Sequence, residues 1–414
     1  MAFGDCSHDG ALRAAWKDFC GKLEAAGDGI FKDHNPANPL QRADALRFLT
    51  QNLGQAFDLA LETKNTRYPV IHAFCTPFCK LGGDNADYTY QQAWIDGESV
   101  YRISGNKGTA RFFNIAVQGP RPDHPPGRRG LHDPFGDTPE ANLFGHDMVA
   151  AWDGGFEVYI GGEKRGPNWL PTTPGSRKLF IRQGFDDWSE LPAQMRIERV
   201  GMTEPRPMPD PAEMIAATRW AGTFVQELMQ DWPDWSYEQS ENVDPGLLNQ
   251  FPSSRRHLDD PVYNTRLDAV RGRTIDNMVW RLEPDEALIM EFDDPGTFWM
   301  LSNMGVFMSS MDYLYRPVSY SPARTRVDGD GKVRIVLAHS DPGFHNWMDT
   351  QGFELGNICA RNNFVDYGLE FRNTLVKHAA LADYLPAESA RVTPQERVQQ
   401  MLRRYHSVMR RYLL

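Results

Sequence analysis

Two histidines and two aspartates lie close together in the C-terminal half of the chain. They are His339, Asp341, His345 and Asp349. Imidazole and carboxylate groups together can transfer protons near neutral pH, and they are also the ligands of oxygen- and nitrogen-coordinated metals. A structural interpretation is equally open, in which Asp341 begins an ordinary Pro-Gly turn and His345 lies on the surface. The segment is therefore the first candidate for chemistry.

This segment belongs to an internal repeat whose two copies begin at Asp153 and Asp330. Each copy has an Asp-Gly turn, an alternating strand, a Gly-containing loop with an Asn-Trp pair, and a later strand that reaches an arginine. An Asn can brace a loop through backbone hydrogen bonds and a Trp can fill the gap between two sheets, so an architectural role is favoured for the first pair. The residues concerned are Asn168, Trp169 and Arg182 in the first copy and Asn346, Trp347 and Arg361 in the second.

The two copies differ around the Asn-Trp pair, because the first copy has Pro167 and Pro171 where the second has histidine and aspartate. Chemistry is therefore expected at the second copy. We predict His345 and Asp349 as the proton-transfer pair, with His339 and Asp341 beside them and Arg361 as an oxyanion or carboxylate anchor. The predicted substrate-binding residues are Trp347, Asn346, Tyr101, Trp169 and Asn168.

A second group of histidines and aspartates lies in a long, proline-rich loop. It contains His132, Asp133, Asp137, His146 and Asp147. Neighbouring side chains on an extended segment point in opposite directions, so each His-Asp pair in the sequence is not a pair in space. Metal binding by His132 and His146 is thus the minority interpretation, and no metal is predicted.

Charge and composition limit the classes of partner. The chain has 414 residues, with 44 Lys and Arg against 55 Asp and Glu, which gives a net charge of −11. Nucleic acid binding depends on neutralising phosphates, so this acidic chain is not expected to bind nucleic acid. No apolar stretch is long enough to cross a bilayer, and no secretory signal begins the chain. The odd count of five cysteines favours free thiols in the cytoplasm.

Several common catalytic motifs are absent from the sequence. No dinucleotide-binding glycine motif, phosphate-binding loop, serine nucleophile elbow or His-Glu-x-x-His motif occurs. We therefore predict no cofactor. Chemistry, if present, would depend on side chains or on a metal site without a recognisable motif.

Helical and strand-like patterns alternate along the chain and predict a mostly β protein with flanking helices, built from two related β-sandwich or jelly-roll-like units. Asp96-Gly97 separates the first two strand-like runs as a hairpin turn. The predicted segments are a helical region at 1–82, a first β unit at 83–204, a helical linker at 205–282, a second β unit at 283–376 and a helical tail at 377–414.

The helical tail carries both an apolar stripe and a group of arginines. The apolar residues have helical spacing and are expected to face the core, whereas the arginines are expected on a solvated face. The apolar residues are Val398, Met401, Leu402, Tyr405 and Met409, and the arginines are Arg403, Arg404, Arg410 and Arg411.

Motifs spread over nearly the whole chain resemble a known family. They are 84–88 (Asp-Asn-Ala-Asp-Tyr), 101–105, 168–170, 341–350 with Gly352 and Arg361, and the tail 394–411. The chain is similar here to bacterial proteins that carry the domain of unknown function 1214, often paired with the related domain 1254. The resemblance implies β-sandwich, jelly-roll-like domains and no agreed activity, catalytic residue or cofactor. Met348 stands where the family pattern has Leu, a volume-conserving change.

Composition and motifs together favour an enzyme that processes a lipophilic cyclic or aromatic small molecule by acid–base chemistry, as a lyase, isomerase or hydrolase. One alternative is a non-catalytic β-sandwich that binds a carbohydrate or another small molecule by stacking on aromatic side chains. Another is a metal-assisted hydrolase or lyase. The expected partner is a small molecule, and self-association into a homo-oligomer is left open.

Overall fold

The computed structural model describes residues 6–33, 35–120, 137–241, 248–251, 273–365 and 367–412. Seventeen strands in these residues form four sheets, and helices pack around them. The predicted fold class, mostly β with flanking helices and two similar β units, is confirmed.

The first unit contains nine strands in two sheets. They are β1 (His72–Cys75), β2 (Tyr88–Trp94), β3 (Tyr101–Asn106), β4 (Phe112–Gly119), β5 (Thr138–Phe144), β6 (Gly155–Ile160), β7 (Trp169–Leu170), β8 (Lys178–Gly184) and β9 (Gln194–Arg199). The larger sheet has the order β1-β2-β8-β4-β5 and the smaller sheet has the order β7-β6-β3-β9. Only β7 pairs in parallel, with β6.

The second unit repeats this arrangement. Its strands are β10 (Arg273–Arg281), β11 (Glu286–Asp293), β12 (Phe298–Met304), β13 (Ser319–Tyr320), β14 (Lys332–Ala338), β15 (Trp347–Asp349), β16 (Leu355–Asn363) and β17 (Arg372–Lys377). One sheet has the order β10-β16-β12-β13 and the other has the order β15-β14-β11-β17, again with one parallel pair, β14 with β15. Strand by strand, the two orders match those of the first unit, apart from the extra edge strand β1.

Each unit buries a core between its own two sheets, because alternate residues of a strand point to opposite faces. In β4, Phe113, Ile115 and Val117 enter the core of the first unit, and in β12, Trp299 and Leu301 enter the core of the second.

The five-stranded sheet of the first unit and the β10-β16-β12-β13 sheet of the second are also buried on their opposite faces, and these faces meet at a third core, which we call the seam. The seam contains side chains from both sheets and from the helices. Among them are Tyr88, Tyr90, Phe112 and Phe180 from the first unit, Phe298, Met300 and Met304 from the second, and Phe19, Phe48 and Phe224 from the helices. The seam therefore joins the two units over apolar surface rather than through a flexible linker.

Five α-helices complete the described part of the fold. They are α1 (Asp9–Asp28), α2 (Pro39–Phe57), α3 (Pro211–Glu241), α4 (Leu381–Tyr384) and α5 (Pro394–Tyr412). Helix α2 begins where the Asn38 side chain accepts hydrogen bonds from the backbone of Leu40 and Gln41, with Pro39 in the first turn. Helix α3 begins with the predicted capping box between Asp210 and Glu213. Within the described residues, no helix is both long and apolar enough to cross a membrane.

Helix α5 is rotated relative to the predicted orientation, although Tyr405 and Met409 of the predicted stripe do pack against the core of the second unit. Val398 and Leu402 are 56% and 44% exposed, whereas Arg404 and Arg411 are only 2% and 5% exposed. The solvated-face prediction is correct for Arg403 and Arg410 and wrong for the two buried arginines. The physical reason is an acidic partner inside the protein, described below, which hydrophobic periodicity does not register.

The β units extend beyond the bounds predicted from the sequence. Strand β1 precedes 83–204 and joins the first unit, and β10 lies in the predicted linker 205–282 but pairs with β16 along its length. Strand β1 has only four residues, too few to show a clear alternating pattern. In β10, polar residues such as Arg273 and Asp276 interrupt the apolar pattern expected of a buried strand.

Candidate functional site

The first Asn-Trp pair braces a loop against a strand. The Asn168 amide donates to the carbonyls of Val149 and Glu157 at 2.7 and 2.9 Å and accepts from the Val149 N–H at 2.9 Å. The Trp169 indole donates to the Gly161 carbonyl at 3.2 Å.

The second pair repeats these bonds. The Asn346 amide donates to the carbonyls of Arg326 and Arg334 at 2.7 and 2.9 Å and accepts from the Arg326 N–H at 2.9 Å. The Trp347 indole donates to the Ala338 carbonyl at 3.1 Å. Because each amide uses both of its N–H groups and its oxygen on backbone, both asparagines hold loops in place and are poorly placed to bind a ligand.

His345 and Asp349 have separate partners in the structure. His345 Nδ1 lies 3.1 Å from Asn346 Oδ1. Burial lowers the pKa of His345 from its ordinary value, and the hydrogen bond with Asn346 opposes part of this shift. Asp349 is 2% exposed and accepts from Arg316 at 2.7 Å and from the Gln351 N–H at 2.8 Å. His345 and Asp349 therefore each bind a neighbouring residue and do not bind each other.

His339 and Asp341 are also engaged locally. His339 Nδ1 lies 2.7 Å from the Thr350 hydroxyl, and Nε2 lies 3.3 Å from the Leu282 carbonyl. Asp341 forms a two-pronged ion pair with Arg397 of α5, at 2.9 and 3.2 Å. No His-Asp hydrogen bond joins these two residues to each other or to the pair above in the described hydrogen-bond network, and their proposed catalytic role stays a prediction.

Arg361 and the first-unit binding candidates lie elsewhere. Arg361 enters the seam, where it donates to the Tyr90 hydroxyl at 2.7 Å and to the Gly83 carbonyl at 3.1 Å. Tyr101 is fully buried in the first unit, and its hydroxyl donates to the Thr66 carbonyl at 2.8 Å. The structure therefore does not gather Arg361, Tyr101 and Trp169 around the second-copy loop.

The two arginines of the repeat occupy equivalent positions. Arg182 lies in β8, opposite Tyr90 of β2 and Asn114 of β4. Arg361 lies in β16, opposite Ile275 of β10 and Met300 of β12. Both point to the seam side of their sheets, where the Arg182 guanidinium lies 3.7 Å from the Phe180 ring centre. The repeated arginines thus mark the seam rather than the Asn-Trp loops.

His146, which follows the long loop, lies at the exposed edge of the seam. His146 stacks on Phe144 at 5.6 Å and meets the edge of Phe364 at 5.7 Å, and its side chain is 59% exposed. Asp137 is instead buried in an ion pair with Lys178 at 3.1 Å and with Arg177. His132 and Asp133 lie outside the described residues. Nowhere in the described ranges do three His, Cys, Asp or Glu side chains group as metal ligands.

A row of aromatic rings runs from the buried seam to the surface. Tyr90 stacks on Tyr88 at 5.8 Å, Tyr88 lies 5.5 Å from Phe112, and Phe112 lies 5.7 Å from Phe364. Phe364 is 43% exposed and has a φ of 66°, a backbone region that a bulky residue rarely adopts. We call the outer end of this row the seam aromatic cluster; it comprises Phe112, Phe144, His146, Phe298 and Phe364.

Arg111 adds a positive charge to this cluster. Its guanidinium lies 5.1 Å from the centre of the Phe298 ring, and its side chain is 44% exposed. Asp186, which is almost fully buried, pairs with Arg111 and fixes its position. An aromatic surface beside a partly exposed guanidinium can bind a flat, negatively charged molecule. Sequence reasoning missed Arg111, Phe298 and Phe364, because no motif contains them and they come from different units.

Lys80 and Asp84 form hydrogen bonds that connect the first unit to the second. Lys80 donates to the carbonyls of Ser310 and Met311 at 2.6 and 2.7 Å. Asp84 accepts from the Ser310 N–H at 2.8 Å and from its hydroxyl at 2.5 Å. Burial lowers the pKa of Lys80 to about 8 and raises the pKa of Asp84, while the attraction between the two groups opposes both shifts.

Comparison with known proteins finds similarity to one family model over part of the chain and to solved structures over most of it. Residues 85–183, which span most of the first β unit, match the family described as protein of unknown function (DUF1214). A solved structure of an uncharacterized protein from Burkholderia cenocepacia is 27% identical, with a TM-score of 0.77, over 89% of this chain and 99% of that chain. A Vibrio parahaemolyticus protein is 12% identical, with a TM-score of 0.45, over 86% of this chain and 100% of that chain. No curated protein matches the chain.

Proposed function

We propose that the protein binds a small, lipophilic aromatic or cyclic molecule that carries a negative charge, at the seam aromatic cluster. The observation that carries this proposal is Phe364, a large apolar side chain held half-exposed on a strained backbone in contact with three other rings. A non-glycine residue in this backbone region costs about 1–3 kcal/mol and persists where the surrounding structure enforces it, often at binding sites.

The surrounding groups supply complementary contacts. Phe298 and His146 contact the Phe364 ring directly, with ring centres 6.2 and 5.7 Å away, and so hold it in place while part of it stays exposed. Arg111 places its partly exposed guanidinium over Phe298, so a carboxylate on the ligand could pair with it while the ligand ring contacts the exposed Phe364 and His146.

Replacement of Phe364 by alanine is expected to weaken the binding of a probe such as 1-naphthoate about tenfold or more, because one stacked ring contributes on the order of 1–2 kcal/mol. Isothermal titration calorimetry on the purified full chain measures this change. The matched control is Phe78→Ala, which removes another strongly exposed phenylalanine distant in the sequence.

Equal affinity of the wild type and Phe364→Ala, or an equal loss in Phe78→Ala, would contradict the proposal. An Arg111→Gln variant adds a check on charge. It is expected to weaken 1-naphthoate more than naphthalene methanol, which has the same rings and no charge.

A second candidate function is acid–base catalysis at the second-copy loop, by a lyase, isomerase or hydrolase without a nucleotide cofactor. It is favoured by His345, whose lowered pKa keeps the imidazole neutral and able to accept a proton at neutral pH. Asp349 would be its partner, as predicted from the sequence, after a rearrangement that frees it from Arg316.

We expect His345→Ala to reduce hydrolysis of 4-nitrophenyl benzoate by about a hundredfold if the imidazole is the general base. Release of 4-nitrophenolate measures the rate, and Asp349→Asn should lower it as well. His345→Ala and Asp349→Asn proteins that fold and retain full hydrolysis would exclude this assignment for the hydrolase. The control is His406→Ala, which changes an exposed histidine of α5.

We further propose a bacterial origin, a relationship of the remaining chain to the domain 1254, residence in the cytoplasm, and the absence of nucleic acid and membrane partners. The negative charge of −11 supports the last of these for nucleic acid.

A further inference from the structure

Three buried arginines surround one buried aspartate beside the seam. Asp87 is fully buried, and its carboxylate lies 2.6 Å from Arg324 Nη2 and 3.8 Å from Arg411 Nη1. Arg404 belongs to the same group, because it shares the Trp188 ring with Arg324, at 4.8 and 4.4 Å. Arg404 and Arg411 lie on one face of α5, and Arg324 lies in the short 3₁₀ turn Pro322–Arg324.

The charges in this group do not balance. Three guanidinium groups face the single carboxylate of Asp87, and guanidinium stays protonated in proteins. The neighbouring Asp186 carboxylate is used on Arg111 and on the Ala323 N–H, and Asp187 is exposed and accepts from Ser189. Burial lowers the pKa of Arg404 to about 10; the charge of Asp87 opposes this shift and the charge of Arg324 adds to it.

The same arginines keep unused hydrogen-bond donors. Both terminal nitrogens of Arg324, Arg404 Nε and Arg411 Nε are buried and make no hydrogen bond among the described residues, and the two carboxylate oxygens of Asp87 make none either. The terminal nitrogens of Arg404 do donate to Ser319, with its carbonyl at 2.8 Å. Buried donors without acceptors cost about 1–3 kcal/mol each, and the one carboxylate of Asp87 cannot serve three guanidinium groups at once, so an additional acceptor would satisfy the remaining donors.

We propose that Arg324, Arg404 and Arg411 form a binding site for a small oxyanion, either a free phosphate or the carboxylate of an acidic metabolite. An oxyanion supplies the negative charge and the acceptor oxygens that the group lacks, and the planar guanidinium fork suits both ligand types. Trp188, which is half-buried and packs on two of the guanidinium groups, forms the solvent side of this site. The site is independent of the aromatic ligand proposed above.

Thermal unfolding of the full chain tests this site with inorganic phosphate and with acetate as probes, each replacing chloride at constant ionic strength and pH 7.5. At saturation, at least one probe should raise the Tm by about 2 °C or more, because a ligand bound only by the folded state stabilises it. Phosphate alone would identify a free phosphate site, and acetate would identify a carboxylate site.

Arg324→Gln should lose this saturable shift, whereas Arg403→Gln, which changes an exposed arginine of the same helix, should keep it. Arg324→Lys retains the charge without the fork and should weaken the shift, so it serves if the glutamine variant does not fold. An equal shift in the wild type and in a folded Arg324 variant would overturn the site. The absence of a saturable shift with both probes would overturn it as well.

Discussion

Replacement of Lys80 by methionine is expected to lower the free energy of unfolding by about 3 kcal/mol, since it leaves two buried carbonyl groups without their donor and the buried Asp84 carboxylate without its nearby positive charge. Lys80 is buried between the units and serves two carbonyl groups of the second unit and the nearby Asp84. Its loss therefore weakens the contact between the units. Urea-induced unfolding at pH 7 measures the change, and Lys164→Met is the exposed control.

The pH dependence of this effect has a defined sign. The folded-state pKa of Lys80 is about 8, whereas the ordinary value is 10.5. Between these values the folded chain releases a proton that the unfolded chain keeps, so rising pH favours folding. The stability difference between the wild type and Lys80→Met should grow by up to about 1.4 kcal/mol per pH unit from pH 8 upward. A difference that shrinks over this window, or a variant as stable as the wild type, would contradict the structure of the seam.

Replacement of Asn346 by alanine should cost about 3 kcal/mol of stability, and Asn168→Ala should cost a similar amount. Each amide makes three hydrogen bonds to backbone, which are worth on the order of 1 kcal/mol each, and the backbone groups are then left without partners. Urea-induced unfolding measures both variants. The control is Gln399→Ala, which removes an exposed amide on α5.

The two asparagine variants test the equivalence of the repeats. Similar losses in both would show that the Asn-Trp turns have the same structural task. A loss at Asn346 of less than about 0.5 kcal/mol, within the range of ordinary surface substitutions, would mean that the second turn is not braced as described.

Much of the β architecture could be predicted from local sequence. The Asp-Gly turns, the alternating strands after Asp153 and Asp330, and the Asn-Trp pairs all depend on residues close together in the chain. The seam also had a local signal, because β4 is buried along its whole length and begins with Phe112 and Phe113. Apolar residues on both faces of a strand indicate that both faces are covered.

The site could not be predicted in the same way. Phe112 and Phe364 meet only because two sheets from different units pack face to face. The buried arginines of α5 depend on Asp87, and hydrophobic periodicity counts arginine only as an exposed residue. Composition does not distinguish aromatic residues that fill a core from aromatic residues that line a site, so the two can be told apart only from the three-dimensional packing.

We propose that the ligand binds at the seam aromatic cluster and not at the loops of the Asn-Trp pairs. A crystal structure of the full chain with bound 1-naphthoate tests it most directly. We expect the naphthyl ring in contact with Phe364 and His146 and its carboxylate on Arg111. A naphthoate bound beside His345 and Asp349, with the seam aromatic cluster unoccupied, would contradict the account.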